Sequence, residues 1–221
     1  RLGRNEMGRL AESFEEMRDA LEGKNYVEQY IETLTHEIKS PLSAIRGAAE
    51  LLEEDMPPEQ RQRFMGNILN ETTRIQSLVD RMLELSSLER RKELRLEHVS
   101  LTQLLRELLD GMTPQLERRQ IRLNSELEEV EVKGERFLLE QAMANLLQNA
   151  IDFTPPDHAI TVSLRRTEDG VDFRVHNTGS EIPDFAAGRL FERFYSLARP
   201  DTGRRSSGIG LTLVKGIMEL H

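Results

Sequence analysis

Thr35-His36-Glu37-Ile38-Lys39-Ser40-Pro41-Leu42 lies inside a helical pattern and sets its one histidine apart from every apolar neighbour. Around it Val27, Ile31, Leu34, Ile38, Ile45, Ala48 and Leu52 follow the three-four spacing of a packed helical seam. His36 stands two residues from both Leu34 and Ile38. At about 100° per residue it therefore projects almost opposite the seam, toward solvent or a docking partner. Near neutral pH an imidazole offers a ring-nitrogen lone pair, and Glu37 beside it can orient the ring or take up its proton. Pro41 removes a backbone donor and is expected to bend the helix beside the reactive position.

Working outward, Asp55-Met56-Pro57-Pro58-Glu59 interrupts the helix, because prolines lack donors and fix the chain for a turn and a new first helical turn. The returning helix places Met65, Ile68, Ile75, Val79, Met82 and Leu85 on one face to about residue 90. Two such helices cannot bury both stripes alone, so two hairpins are expected to associate as a four-helix bundle in a homodimer. Upstream, Met7, Leu10, Phe14, Met17 and Leu21 form a narrow coiled-coil seam. The two seams share one heptad column and differ in the other, a rotation of about 50° between Leu21 and Val27, near Gly23. A helix with such a break has two packing states that an upstream signal can bias.

Composition narrows the classes. Of 221 residues 38% are hydrophobic and 31% charged, enough for two modest domains joined by long solvated helices. The formal charge is −9 and the thirty basic residues are scattered, which argues against a nucleic-acid groove. No run approaches the ~18–20 apolar residues of a membrane helix, and the first residues lack a signal-peptide layout. The polypeptide is expected to be soluble. The lack of cysteine excludes disulfides and thiolate metal sites and fits a reducing cytoplasm.

From about residue 95 the pattern changes to alternating strands and helices. Leu101 to Leu116 reads as a helix capped by Ser100. Arg122 to Ser125, Val130 to Lys133, Ile160 to Arg165 and Val171 to Asn177 read as strands, the last two around a Glu168-Asp169-Gly170 turn. Glu135 to Phe153 reads as a helix stopped by Thr154-Pro155-Pro156, the span 184–207 as irregular, and Gly208 to Leu220 as a closing helix. The result is helices layered over a mixed sheet.

Polar residues gather in this half. Asn145 and Asn149 stand at i and i+4 on one helical face, above Leu146, Leu147 and Ala150. An amide oxygen is a hard, neutral ligand suited to a magnesium ion that carries a triphosphate. Downstream, His176-Asn177-Thr178-Gly179-Ser180-Glu181-Ile182-Pro183 ends a strand, Leu190-Phe191-Glu192-Arg193-Phe194-Tyr195 is an aromatic island, and Ser206-Ser207-Gly208-Ile209-Gly210-Leu211 opens a helix. Gly208 and Gly210 allow backbone amides to approach phosphate at a helix N-terminus. The spacing from Gly203 to Gly208 mimics a P-loop, but Ile209-Gly210 stands where Lys-Ser/Thr is required. The dinucleotide fingerprint also fails, because Leu213 occupies its third glycine position.

Taken together, His-Glu-Ile-Lys-Ser-Pro-Leu resembles the phosphoacceptor box of bacterial sensor histidine kinases. The later segments resemble, in order and spacing, the asparagine, first-glycine, phenylalanine and second-glycine boxes of the kinase ATPase domain, shared in outline with gyrase and MutL. Residues 149–155 and 191–197 look closest to the carbon-responsive CreC group. Arg4 to Phe14 resembles the end of a HAMP linker.

The resemblance implies an α+β fold: a helical-hairpin dimerisation domain forming a four-helix bundle in a dimer, plus an α/β-sandwich ATPase domain of the GHKL (Bergerat) type. The implied division is 1–24 for a HAMP-like signalling helix, 25–94 for dimerisation and phosphotransfer, and 95–221 for ATP binding. His36 would be the phosphoacceptor, Glu37 the acid/base, and Ser40 a helper in dephosphorylating the response regulator. Asn149 would coordinate Mg2+, with Asn145 in support, and Asn177 would face the adenine. Phe191 and Phe194 would anchor a mobile lid, and Gly208 and Gly210 would contact the phosphates. Asp152, Phe153, Gly179, Ile182, Arg199, Ser207, Ile209 and Leu211 complete the implied ATP site. The implied partners are a second copy and a response regulator receiver domain, with no nucleic acid. The implied location is the cytoplasmic part of a bacterial inner-membrane protein, anchored upstream of residue 1.

Some positions depart from the family pattern. Aspartate is usual where Asn177 stands and glycine where Glu181 stands. Losing a charge-assisted acceptor costs about 1 kcal/mol, and a side chain at a glycine position costs about as much if φ is positive. Weak ATP binding is therefore expected, and a dimeric signalling scaffold with impaired catalysis is the alternative reading. Lysine and arginine are common where Asp152 and Ser196 stand, so Lys215, Arg199 and the Arg204-Arg205 pair are candidates for the missing positive charge. The family usually continues past the position of His221 into two closing strands, so an incomplete sheet is expected.

Overall fold

The computed structural model describes residues 34–91, 93–179, 181–201, 203 and 206–221. The seam from Met7 to Leu21, its rotation near Gly23, Val27, Ile31 and the Arg204-Arg205 pair lie outside the described residues. The chain divides into two units, Arg1–Ser77 and Leu78–His221.

In the first unit, helix α1 covers 34–52 and continues through Pro41. Leu34, Ile38, Ile45 and Leu52 are half-buried and Ala48 is buried, so the expected seam exists, and His36 is exposed away from it. The turn at Pro57 hands over to α2 (Pro58–Glu89), which runs on from Leu78 into the second unit and whose first residue lacks a donor where none is needed. The Pro57 carbonyl accepts the Arg61 N–H at 3.1 Å and starts the ladder.

The apolar face expected for α2 needs a correction. Ile68, Ile75 and Met82 are half-buried and Leu85 is buried, but Met65 is 53% and Val79 40% exposed. Met65 and Val79 belong to a second stripe with Leu69 and Leu83, both exposed by more than 60%. The two stripes lie about 100° apart around the helix, the offset that one residue produces. A single three-four reading of the sequence merges them.

The second unit carries the layered half. Strand β1 (Glu97–Ser100) pairs antiparallel with β3 (Glu131–Gly134). Between them come α3 (Leu101–Arg118) and β2 (Arg122–Leu127). Ser100 caps α3 as expected, its side chain accepting the Gln103 N–H at 3.3 Å. Helix α4 (Arg136–Phe153) then leads to β4 (Ala159–Thr167), parallel to β2, and β5 (Gly170–Asn177) returns antiparallel. The three strands form one sheet in the order β2-β4-β5. A short helix α5 (Asp184–Ala187) and the closing helix α6 (Gly210–Leu220) complete the described elements. The single turn of α5 departs from the irregular span expected there, and Gly208 and Ile209 precede α6 rather than belonging to it.

Alternate residues of β4, Ile160, Val162 and Leu164, are at most 1% exposed and face Leu104, Leu105 and Leu109 of α3 and Leu147, Ala150 and Ile151 of α4. Each such fully buried aliphatic side chain contributes roughly 1.5–3 kcal/mol. Thr102 is buried among them with its hydroxyl satisfied twice. It donates to the Glu128 carbonyl at 2.7 Å and accepts the Val130 N–H at 2.9 Å, which fixes the start of α3 against the β2–β3 connection. Thr154 ends α4 by donating to the Ala150 carbonyl at 2.6 Å. That core leaves the polar face of α4 pointing away from the sheet.

Candidate active site

On that outward face Asn145 and Asn149 stand half-buried, one turn apart, over buried Leu147, Ala150 and Ile151. Asn145 spends its amide hydrogen on the Gln141 carbonyl at 2.9 Å, which leaves its oxygen turned outward. The Asn149 side-chain amide has no hydrogen-bond partner among the described residues. A cavity of about 390 Å³ opens against both. Gln148, Asp152 and Phe153 extend its α4 wall, Asn177 enters from the end of β5, and Glu181, Ile182 and Pro183 follow. The far wall comes from Leu190, 195–200, Ser206, Gly208, Gly210 and Leu211.

Of the residues nominated from the sequence, this one cavity gathers Asn145, Asn149, Asp152, Phe153, Asn177, Ile182, Arg199, Gly208, Gly210 and Leu211. Gly179, Phe191, Phe194, Ser207 and Ile209 stay off the wall and shape it from behind. A Cβ on Gly179 would stand 2.7 Å from the Phe153 carbonyl oxygen, so only glycine lets the β5 end close onto α4. Phe191 is half exposed, and its carbonyl accepts the Thr212 hydroxyl at 3.2 Å, tying the aromatic island to α6. Ile209 is fully buried, as are Leu213 and Ile217, and its carbonyl accepts the Leu213 N–H at 2.9 Å.

Gly208 and Phe194 form a neck. Gly208 has φ +65, and a Cβ there would come within 2.4 Å of the Phe194 carbonyl carbon. Phe194 itself has φ 60, a left-handed conformation held by its N–H donating to the Gly208 carbonyl at 3.0 Å. One step on, the Ser196 hydroxyl donates to the Ser206 carbonyl at 2.9 Å. The stretch between is thus closed at its base. Arg189 covers the Tyr195 ring at 4.4 Å and adds a cation–π contact.

Charge in the cavity is arranged in pairs. Asp152 accepts Gln148 at 2.9 Å and binds Arg199 at 2.5 Å, with Arg119 at 4.0 Å, and Arg119 in turn binds Asp201 at 2.6 Å. Of the described candidate cations, Arg199 and not Lys215 is on the cavity wall. Lys215 lies on the exposed side of α6, 3.8 Å from Glu219, and is not on the wall. Two features carried no sequence signal that could have found them. Arg81 reaches the cavity from α2 and donates to the Ser207 hydroxyl at 3.4 Å, and Arg193 pairs with Glu89, also of α2. Burial pushes the Glu89 carboxyl up and the Arg193 guanidinium down, a desolvation cost on each that their pairing offsets.

The other nominated residues are on α1. His36 and Ser40 are exposed, while Glu37 is half-buried and takes a hydrogen bond from Arg74 of α2 at 3.5 Å. Arg74 also lies 3.7 Å from Glu71. The carboxylate beside His36 is thereby held from across the hairpin.

Residues 26–91 match the family described as His Kinase A (phospho-acceptor) domain, and residues 134–221 match the histidine kinase-, DNA gyrase B- and HSP90-like ATPase family. The chain belongs to the sensor histidine kinases. Within them it is 49% identical over 219 residues to Sensor protein CreC of Escherichia coli (strain K12), a match that covers 99% of this chain and 46% of CreC. Heme sensor protein HssS of Staphylococcus aureus (strain Newman) is 31% identical over 220 residues, 99% of this chain and 48% of HssS. The chain spans about half the length of the curated relatives it matches. Among solved structures, histidine kinase ThkA in complex with response regulator protein TrrA superposes with a TM-score of 0.71 at 25% identity, over 83% of this chain and 55% of the matched one. Full-length ShkA in complex with AMPPNP gives 0.61 at 26% identity, over 87% and 41%. The family and the CreC-like grouping agree with the motif reading, and the helical hairpin and layered ATPase unit are the expected fold.

Proposed function

We propose that this chain is the catalytic core of a sensor histidine kinase that moves the γ-phosphoryl of ATP to a ring nitrogen of His36, and from there to an aspartate on a response regulator receiver domain. The observation that carries the reading is the convergence of Asn145, Asn149, Asn177, Gly208 and Gly210 on one cavity in a chain whose His36 is exposed. The imidazole lone pair attacks the γ-phosphorus, the bond to the bridging oxygen breaks, ADP leaves, and Glu37 takes up the ring proton. Arg74 keeps that carboxylate aimed. Asn177 reads the adenine through its amide, and with Glu181 on the wall the affinity is expected to be modest.

The donor set fits magnesium. Asn149 presents an unpartnered neutral amide, and among the described residues no group of three His, Cys, Asp or Glu could cage a metal by itself. Mg2+ favours that arrangement, one or two protein oxygens with the substrate phosphates completing its shell. When bound it neutralises charge developing on the phosphates. The AMPPNP complex of ShkA and the regulator complex of ThkA support the nucleotide and the partner by similarity.

The domain boundaries at 25 and 95, the dimer and the upstream anchor belong to the same reading. Met65, Leu69, Val79 and Leu83 form an exposed stripe suited to a second copy. The HAMP-like stretch at 1–24 supports attachment at the inner face of a bacterial membrane. Among the described residues no helix is long and apolar enough to cross one. Ser40 is exposed one turn after His36, and in this reading it assists regulator dephosphorylation.

Incubation with γ-labelled ATP tests the reading. Acid-labile, base-stable label is expected on the wild type and not on His36→Gln or Asn149→Ala. Label that survives His36→Gln would move the acceptor elsewhere.

A further inference from the structure

The nucleotide cavity has two ends, and α4 measures the distance between them. At one, the Phe153 carbonyl, Gly179 and the Asn177 amide meet: a Cβ on Gly179 would lie 2.7 Å from the carbonyl oxygen and 3.3 Å from the amide nitrogen. At the other, a Cβ on Gly210 would lie 3.1 Å from Asn145 Oδ1 and 3.8 Å from Arg81 Nη1. Eight residues of α-helix separate Asn145 from Phe153, about 12 Å along the axis. A base held at the Asn177 end therefore sends its phosphate chain toward Asn145, Gly210 and Arg81.

We infer that Arg81 is the group that receives the outermost phosphate of a nucleoside triphosphate in this cavity, so that triphosphate is told from diphosphate by a residue of α2 and not of the ATPase unit's own motifs. The inference rests on the cavity being the ATP site proposed above. Three observations carry it. Arg81 is half-buried on the cavity wall, and its one polar partner among the described residues is the Ser207 hydroxyl at 3.4 Å, long for a hydrogen bond and neutral. Arg199, the other described arginine on the wall, is committed to Asp152 at 2.5 Å, which leaves Arg81, among the described residues, as the wall cation whose charge is not already matched by a carboxylate. Finally, Arg81 lies beside the start of α6, where Ile209 provides no side-chain cap, so the first amides and the helix dipole add to the guanidinium at the same place. A guanidinium stays charged at any working pH and can take two phosphate oxygens at once.

With it α2 has two holds, Arg81 on Ser207 before α6 and Glu89 on Arg193 of the aromatic island. A triphosphate that draws Arg81 from Ser207 acts on the first of these, and a diphosphate does not reach it.

The experiment is isothermal titration of the whole chain with Mg-ADP and with the slowly hydrolysed triphosphate Mg-AMPPNP, for wild type, Arg81→Ala and Arg81→Lys. The expected result is a loss of about tenfold or more in AMPPNP affinity for Arg81→Ala, with ADP within about twofold of wild type and partial recovery in Arg81→Lys. Equal weakening of both nucleotides, or no change in either, overturns the assignment while leaving the ATP site intact. A wild type that binds neither nucleotide overturns the site and the assignment together. If Arg81→Ala does not fold, the Arg81→Lys ratio of the two affinities decides by the same criterion.

Discussion

The hairpin that carries His36 and the layered unit that carries the cavity solve opposite problems. In the hairpin the proposed acceptor His36 stands exposed, the Glu37 carboxylate beside it is held by one long contact from Arg74, and a stripe of large apolar side chains on α2 remains uncovered. In the layered unit the polar groups sit on the outward face of a helix whose inward face is locked into a core with residues at or below 2% exposure. In the proposed reading the first relies on exposure and the second on rigid placement. Stability is correspondingly concentrated in the second.

The sharpest way to break that contrast is by truncation. Leu105→Ala is expected to lower unfolding free energy by about 2–5 kcal/mol, whereas Arg46→Ala, which removes an exposed pair with Glu50, is expected to stay within about 0.5 kcal/mol. Urea denaturation of the two variants measures both. Similar losses would mean that the hairpin is as firmly built as the layered unit.

Next in size is the neck. Gly208→Ala forces a Cβ against the Phe194 backbone in a left-handed conformation, at a cost of about 2–3 kcal/mol. The loss is expected to appear as faster hydrogen exchange over 194–210 and weaker nucleotide binding, with phosphorylation of His36 from a chemical phosphodonor retained. A uniform rise in exchange across the whole chain would show that the neck also supports the global fold.

The layered unit also predicts a pH effect. The hydrogen bond from Arg91, reinforced by the Arg95 N–H, holds the Glu135 carboxyl below the usual carboxylate range. With the folded pKa depressed, this group's contribution is present above the unfolded value near ~4.3 and is lost as pH falls through the folded value. Glu135→Gln is therefore expected to cost about 1.5 kcal/mol at pH 7, and its gap from wild type should close on acidification. Thermal melts of both proteins from pH 7 to pH 3 would show the convergence. A gap that widens would reverse the sign.

The smallest effect on stability belongs to the hairpin. Arg74→Ala removes a pair that is about one third exposed and is expected to cost about 0.5 kcal/mol or less. Its signature is in the rate of His36 labelling, which should fall while nucleotide affinity is unchanged. An unchanged rate would mean that Glu37 orients itself.

Much of this architecture was legible in the residues because local chemistry decided it. Ser100 announced α3, the paired prolines announced the hairpin turn, and Asn145 and Asn149 at i, i+4 faced the same way whatever lay around them. What stayed hidden depends on distant partners. Strand β1 has one apolar residue in Glu97-His98-Val99-Ser100 and exists through its register with β3. Arg81 looks like any solvated helix arginine until α6 is placed beside it. The second stripe on α2 was folded into the first because a three-four count tolerates a one-residue offset. Arg199 could be chosen over Lys215 only once Asp152 and the cavity wall were in place.

The neck at Phe194, Ser196, Ser206 and Gly208 has an evolutionary corollary. A loop whose ends are already fastened loses entropy only logarithmically with length, about 0.6 kcal/mol per doubling. Chain inserted beyond the fastening would therefore leave the floor of the cavity where it is. Descendants of this protein could take insertions between the two fastened ends, provided the wall residues 197–200 and the glycine at 208 survive.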